Sequence, residues 1–132
     1  MSNILREIEG VFNGEKMITD ECKAIDVPEN YASKSKLLYG TKLVYRVTKD
    51  ESFFKQLSSP EGMTAIGKVV MCGNCLKIET EIRGKNYKFS FLKAFRFYFC
   101  LNAGDEVVIG YPENMDLLDK DEEKWCIIEN VI

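Results

Sequence analysis

The residues whose spacing most suggests chemistry are Cys72 and Cys75, the ends of a Cys72-Gly-Asn-Cys75 run. Two thiolates on one bend can aim both sulfurs at a single centre, which is half of a tetrahedral zinc site. The missing ligands could come only from Cys22, Cys100 or Cys126, each of which stands alone in the sequence. A redox pair, or small packing residues at a hairpin end, reads the same spacing without a metal. No metal and no other cofactor is therefore expected. The chain contains no histidine, so Ser-His-Asp and Cys-His nucleophilic sites are excluded. Neither of the glycine-rich nucleotide-phosphate signatures occurs. Glu79 and Glu81 alternate at the period of a strand and could share acid-base work. A solvated strand face accounts for them more simply, and the chain is read as a non-enzyme.

Charge gives a second lead. The net charge is −3 over 132 residues, yet residues 31–112 hold thirteen basic and seven acidic side chains. The flanking segments are acidic, at −4 for residues 1–30 and −5 for residues 113–132. Within the basic body, residues 83–97 hold five cations, five aromatics and no acid. Nucleic-acid sites on small β-barrels use this mixture, because cations neutralise phosphates while exposed rings stack on bases. The candidate contacts are Arg83, Lys85, Lys88, Arg96 and Tyr98, joined by Lys34, Lys36, Lys42 and Arg46 if their strands are neighbours. A solvated basic face is the competing reading. The acidic stretch 113–123, six carboxylates against Lys120, reads as a loop that could compete with nucleic acid for that face.

The elements that must position these residues follow from periodicity. Ile4, Leu5, Ile8, Val11 and Phe12 fall at helical spacing, which predicts a short amphipathic helix over residues 3–12, ended by Asn13-Gly14. Residues 19–36, with Pro28 and Asn30, read as irregular. From Leu37 the period becomes two. Leu43, Tyr45 and Val47 predict a strand, with residues 53–57 returning as its hairpin partner. Strands over 66–71 and 76–82 join through Gly73-Asn74, which suits a two-residue hairpin turn. A turn at Gly84-Lys-Asn86 leads to Tyr87, Phe89 and Phe91 on one face. Phe95, Phe97 and Phe99 repeat that pattern, with Arg96 and Tyr98 opposite. Strands over 106–111 and 125–131 finish the chain.

So many short strands predict an all-β protein, a small closed or partly open barrel of OB-like or cradle-loop type. A faint echo between Leu37-Leu-Tyr-Gly40 and Leu101-Asn-Ala-Gly104, each feeding a strand, fits two halves built alike. The division is an N-terminal helix and irregular lead-in over 1–30, then the barrel domain over 31–132. No run approaches the roughly 18 apolar residues that span a bilayer. The start lacks a basic-then-apolar leader, and an odd set of five cysteines reads as free thiols in a reducing compartment. A soluble cytoplasmic protein without a membrane partner is expected.

From about Asn30 onward the chain resembles an uncharacterised family of small proteins from candidate-phylum bacteria. The likeness rests on Ser33-Lys-Ser-Lys-Leu-Leu-x-Gly40, Phe54-Lys-Gln56, Ile66-Gly67, Gly84-Lys-Asn-Tyr-Lys88, Gly104-Asp-Glu-Val107 and Glu129-Asn-Val-Ile132. The family's charged stretch before Ile-Gly is replaced here by Pro60-Glu-Gly-Met-Thr64. The resemblance implies a bacterial, β-rich protein and carries no function. Gly84-Lys85 and Gly104-Asp-Glu-Val107 are also similar, at longer spacing, to the OB-fold of bacterial translation initiation factor one. The functional expectation is a binding module that contacts RNA, DNA or a ribonucleoprotein. The alternative is a protein-interaction or self-associating module, and a small-molecule ligand is not expected.

Overall fold

The computed structural model describes residues 4–113 and 124–132. The predicted acidic loop, apart from Glu113, lies outside the described residues. Along the described chain run β1 (Ile4–Phe12), β2 (Lys16–Thr19), β3 (Ala24–Asp26), α1 (Glu29–Lys34), β4 (Lys42–Thr48) and β5 (Ser52–Ser58). Then follow β6 (Gly62–Cys72), β7 (Cys75–Ile82), β8 (Lys85–Phe89), α2 (Lys93–Phe99), β9 (Glu106–Pro112) and β10 (Ile127–Val131). The protein is mostly β, as expected, and no helix among the described residues is long and apolar enough to cross a membrane.

The strands form two antiparallel five-stranded sheets, ordered β3-β2-β1-β4-β5 and β10-β9-β6-β7-β8. The expected closed barrel is not found: each sheet ends on two open edges among the described residues. The first thirty residues supply three strands of the first sheet, and β1 pairs with β4 from Ile4↔Thr48 to Val11↔Lys42.

The N-terminal helix is corrected to a strand. Helical spacing would bury Leu5 with Ile8 and Phe12, but Leu5 is 68% exposed. Strand alternation instead turns Ile8, Gly10 and Phe12 to one face, opposite Tyr45, Leu43 and Met17. Gly10 permits this approach, since a Cβ there would sit 2.5 Å from the Ile18 carbonyl oxygen. Sheet pairing has overridden a local pattern that fits either period. Asn13 makes the turn into β2, its Oδ1 accepting hydrogen bonds from the Glu15 and Lys16 amides at 3.0 and 2.8 Å.

Residues 93–99 are a second correction, a helix where alternating phenylalanines predicted a strand. In the helix Phe95 and Phe99 stand one turn apart and turn inward with Leu92, while Phe97 faces solvent. Cys100, in the left-handed region at φ 53°, ends it. The region read as irregular, 19–36, contains β3 and α1.

The core joins the inward faces of both sheets to the helices. Phe12, Met17 and Leu43 come from the first sheet, and Val69, Ile78, Phe89, Val107, Ile109 and Ile128 from the second. Ala32, Leu92 and Phe95 come from the helical segments, and all are buried. Tyr31 of α1 meets the first sheet through Phe54, with ring centroids 6.2 Å apart, and Phe54 meets Tyr45 at 4.8 Å. Burial pushes the Tyr31 hydroxyl above its ordinary pKa and holds the Cys126 thiol far above its own. Cys126 is therefore an inert core thiol.

Candidate functional site

The β7–β8 hairpin carries three of the expected contacts, and its geometry separates them. Ile82 pairs with Lys85 across a two-residue loop in which Arg83 and Gly84 both have positive φ, 52° and 79°. Two positive values define a type I′ turn, so the loop is Arg83-Gly84, one step earlier than predicted. Arg83 and Lys85 stand at this exposed tip. Lys88 lies on the outer face, directly opposite Glu79, which is opposite Lys68, which is opposite Glu106. All four are exposed. The outer face of the second sheet thus carries a ladder of alternating sign, and its local field largely cancels.

Helix α2 is arranged differently. Arg96 and Tyr98, expected to share a face, are two residues apart on a helix and so point to nearly opposite sides. Arg96 and Lys93 line a cleft of about 630 Å³ between the two sheets, whose other walls include Phe91, Trp125 and Lys77 and three carboxylates, Glu15, Asp26 and Glu29. Tyr98 lines a groove of about 740 Å³ between α1, α2 and β10 that includes Lys34, Lys36 and Phe99. Its ring meets Phe99 edge-on at 4.8 Å. The predicted set therefore falls into three places: the hairpin tip, the outer ladder and the helix.

Local interactions decide which charges remain available. Lys16 pairs with Asp26 at 3.3 Å. Glu29 accepts a hydrogen bond from the Ala94 amide at 3.2 Å, joining α1 to the first turn of α2. The Lys77 ammonium donates to Ser90 Oγ. Lys36 is held by Glu129 at 2.8 Å and Arg46 by Glu7 at 2.9 Å. Among the described residues, no carboxylate lies within ion-pair distance of Lys93, Arg96 or Lys34, nor of Lys68, Lys85 or Lys88, of which Lys68 and Lys88 face acids only across the strand register. Beside Lys93, Arg96 and Lys34, Phe97 is 74% exposed and Tyr98 80%. Exposed rings next to uncompensated cations present both a stacking surface and a field for anions.

Trp125 forms the opposite wall of the cleft. Its backbone bridges Ser90, and its side chain lies against Gly14, where a Cβ would come within 2.2 Å of the ring. Gly14 has φ 102°, so it serves both the β1–β2 turn and this approach. Sequence reasoning missed Lys93, Phe97, Phe91 and Trp125 as site residues. The available signal was Leu92, Phe95 and Phe99 at helical spacing, which leaves Lys93, Arg96 and Phe97 together on another side. Cys72 and Cys75 face each other across the β6–β7 turn, and no group of three or more metal-ligating side chains occurs among the described residues.

No protein family, no curated protein and no solved structure matches this chain.

Proposed function

We propose that this protein is a non-enzymatic module that binds single-stranded nucleic acid, alone or within a ribonucleoprotein, along α2 and the cleft beside it. The observation that supports this is the placing on α2 of Lys93 and Arg96, outside ion-pair distance of any carboxylate among the described residues, beside exposed Phe97, with exposed Tyr98 next to Lys34 on the helix's other side. Cations attract phosphates of any nucleic acid, but exposed rings favour a single strand, whose base faces are free to stack. Trp125 and Phe91 in the cleft wall offer further aromatic surface. Small OB-type barrels use rings and cations in this way, which is an analogy of surface rather than of fold. Five unbridged thiols fit the reducing cytoplasm.

The test is fluorescence anisotropy with a labelled single-stranded oligonucleotide at several salt concentrations. Binding that weakens steeply as salt rises is expected, with a slope of roughly −0.7 per phosphate contacted. Absence of binding at low salt, or affinity indifferent to salt, overturns the reading.

A second reading, a protein-interaction module, draws on edge strand β5. That strand pairs only with β4 and leaves Phe53 and Leu57 exposed. Such an edge can accept a strand from another chain. Sedimentation showing a monomer at all concentrations would count against self-association.

A further inference from the structure

We propose that Cys72 and Cys75 form a two-coordinate site for a soft monovalent ion, Cu(I), at the tip of the β6–β7 hairpin. The two residues are the last register pair of that ladder, so their side chains leave the same face of the sheet. Both are exposed free thiols. The turn between them holds Gly73 at φ 66°, with no atom within 4 Å of where a Cβ would stand.

Spacing selects the chemistry. Directly opposed strand residues place their Cβ atoms about 4.5–5.5 Å apart. A disulfide wants about 3.5–4.5 Å, which only the short end of that range meets. Two metal–thiolate bonds of about 2.3 Å, laid end to end, separate the sulfurs by roughly 4.6 Å, which parallel side chains at the ladder spacing reach unaided. Zinc and iron–sulfur clusters need four donors, and no group of three metal-ligating side chains occurs among the described residues. Thiolate softness favours Cu(I) among ions content with two ligands. Each thiol gives up its proton as the ion binds, releasing two protons per copper, so affinity rises with pH.

Cys75 also lines the lip of the cleft beside α2, but copper binding needs no nucleic acid and its test is separate. The reduced full-length protein is titrated anaerobically against Cu(I) held by a chromogenic bis-chelator. One Cu(I) per chain is expected to transfer. Cys72→Ser and Cys75→Ser should each weaken retention more than about tenfold, while Cys22→Ser and Cys100→Ser leave it unchanged. Circular dichroism of the serine variants separates loss of the site from loss of the fold, and X-ray absorption should find two sulfur neighbours. Failure of the wild-type chain to take Cu(I), retention by either turn variant, or a centre with three or four sulfurs overturns the proposal.

Discussion

The β7–β8 hairpin and helix α2 are both rich in cations and adjacent in sequence, yet they present opposite electrostatics. On the hairpin, strand register sets Lys88 against Glu79 and continues the alternation through Lys68 to Glu106. These four charges stand opposite one another in register, outside ion-pair distance, a favourable arrangement worth a few tenths of a kcal/mol per pair. On α2, Glu29 is engaged with the Ala94 amide, and the helix presents Lys93 and Arg96 beside exposed Phe97, with exposed Tyr98 on its other side. Positive charge thus stabilises a sheet face in one region and remains available to a ligand in the other. Counting charges along a sequence does not distinguish the two, because partners on neighbouring strands come from distant segments.

The contrast can be broken or sharpened experimentally. The largest effect is expected from Gly14→Ala, which removes the close approach of the first sheet to Trp125 and forces a side chain into positive φ. It should cost about 2–4 kcal/mol in chemical denaturation. Because Trp125 is the only tryptophan, its emission should shift red as the cleft wall loosens; an unshifted spectrum would mean the wall does not depend on Gly14. Next, Arg96→Glu should weaken single-strand binding about tenfold, roughly 1.4 kcal/mol, and Lys88→Glu by less than about twofold. Equal effects would erase the distinction between the two regions. Phe97→Ala should lose about 1 kcal/mol of binding through stacking while leaving the unfolding midpoint within error, since the ring is mostly solvent-exposed. The smallest effect belongs to the hairpin tip. Arg83→Asn places a residue tolerant of positive φ in the type I′ turn and should raise stability by about 0.5 kcal/mol without changing affinity.

Much of the fold was legible in the sequence because its strands alternate cleanly. Leu43, Tyr45 and Val47 with the return through residues 53–57, and the Gly73-Asn74 turn, are local signals, and the structure follows them. Besides residues 19–36, two segments depart from their local pattern because it fits more than one period. Residues 4–12 satisfy both a helical and an extended period, and only pairing with β4, thirty residues on, selects the strand. Residues 93–99 alternate phenylalanines by chance, and the true signal was Leu92, Phe95 and Phe99 at helical spacing. That reversal also changed the candidate site. Reading the segment as a strand put Phe97 in the core and Arg96 beside Tyr98, whereas the helix exposes Phe97 and sends Arg96 and Tyr98 into different hollows. Trp125 could not be placed at the cleft from sequence, since its position depends on Gly14, more than a hundred residues earlier. Ladder partners such as Glu79 opposite Lys88 require the register itself.

The central claim, that α2 and not the hairpin meets nucleic acid, is tested most directly by the salt dependence of single-strand affinity in two double variants. Removing both charges in Lys93→Gln/Arg96→Gln should flatten the logarithmic slope by about 1.4, two contacts at roughly 0.7 each, while Lys85→Gln/Lys88→Gln should keep the wild-type slope. A slope unchanged in the helix variant, or flattened equally in the hairpin variant, contradicts the account.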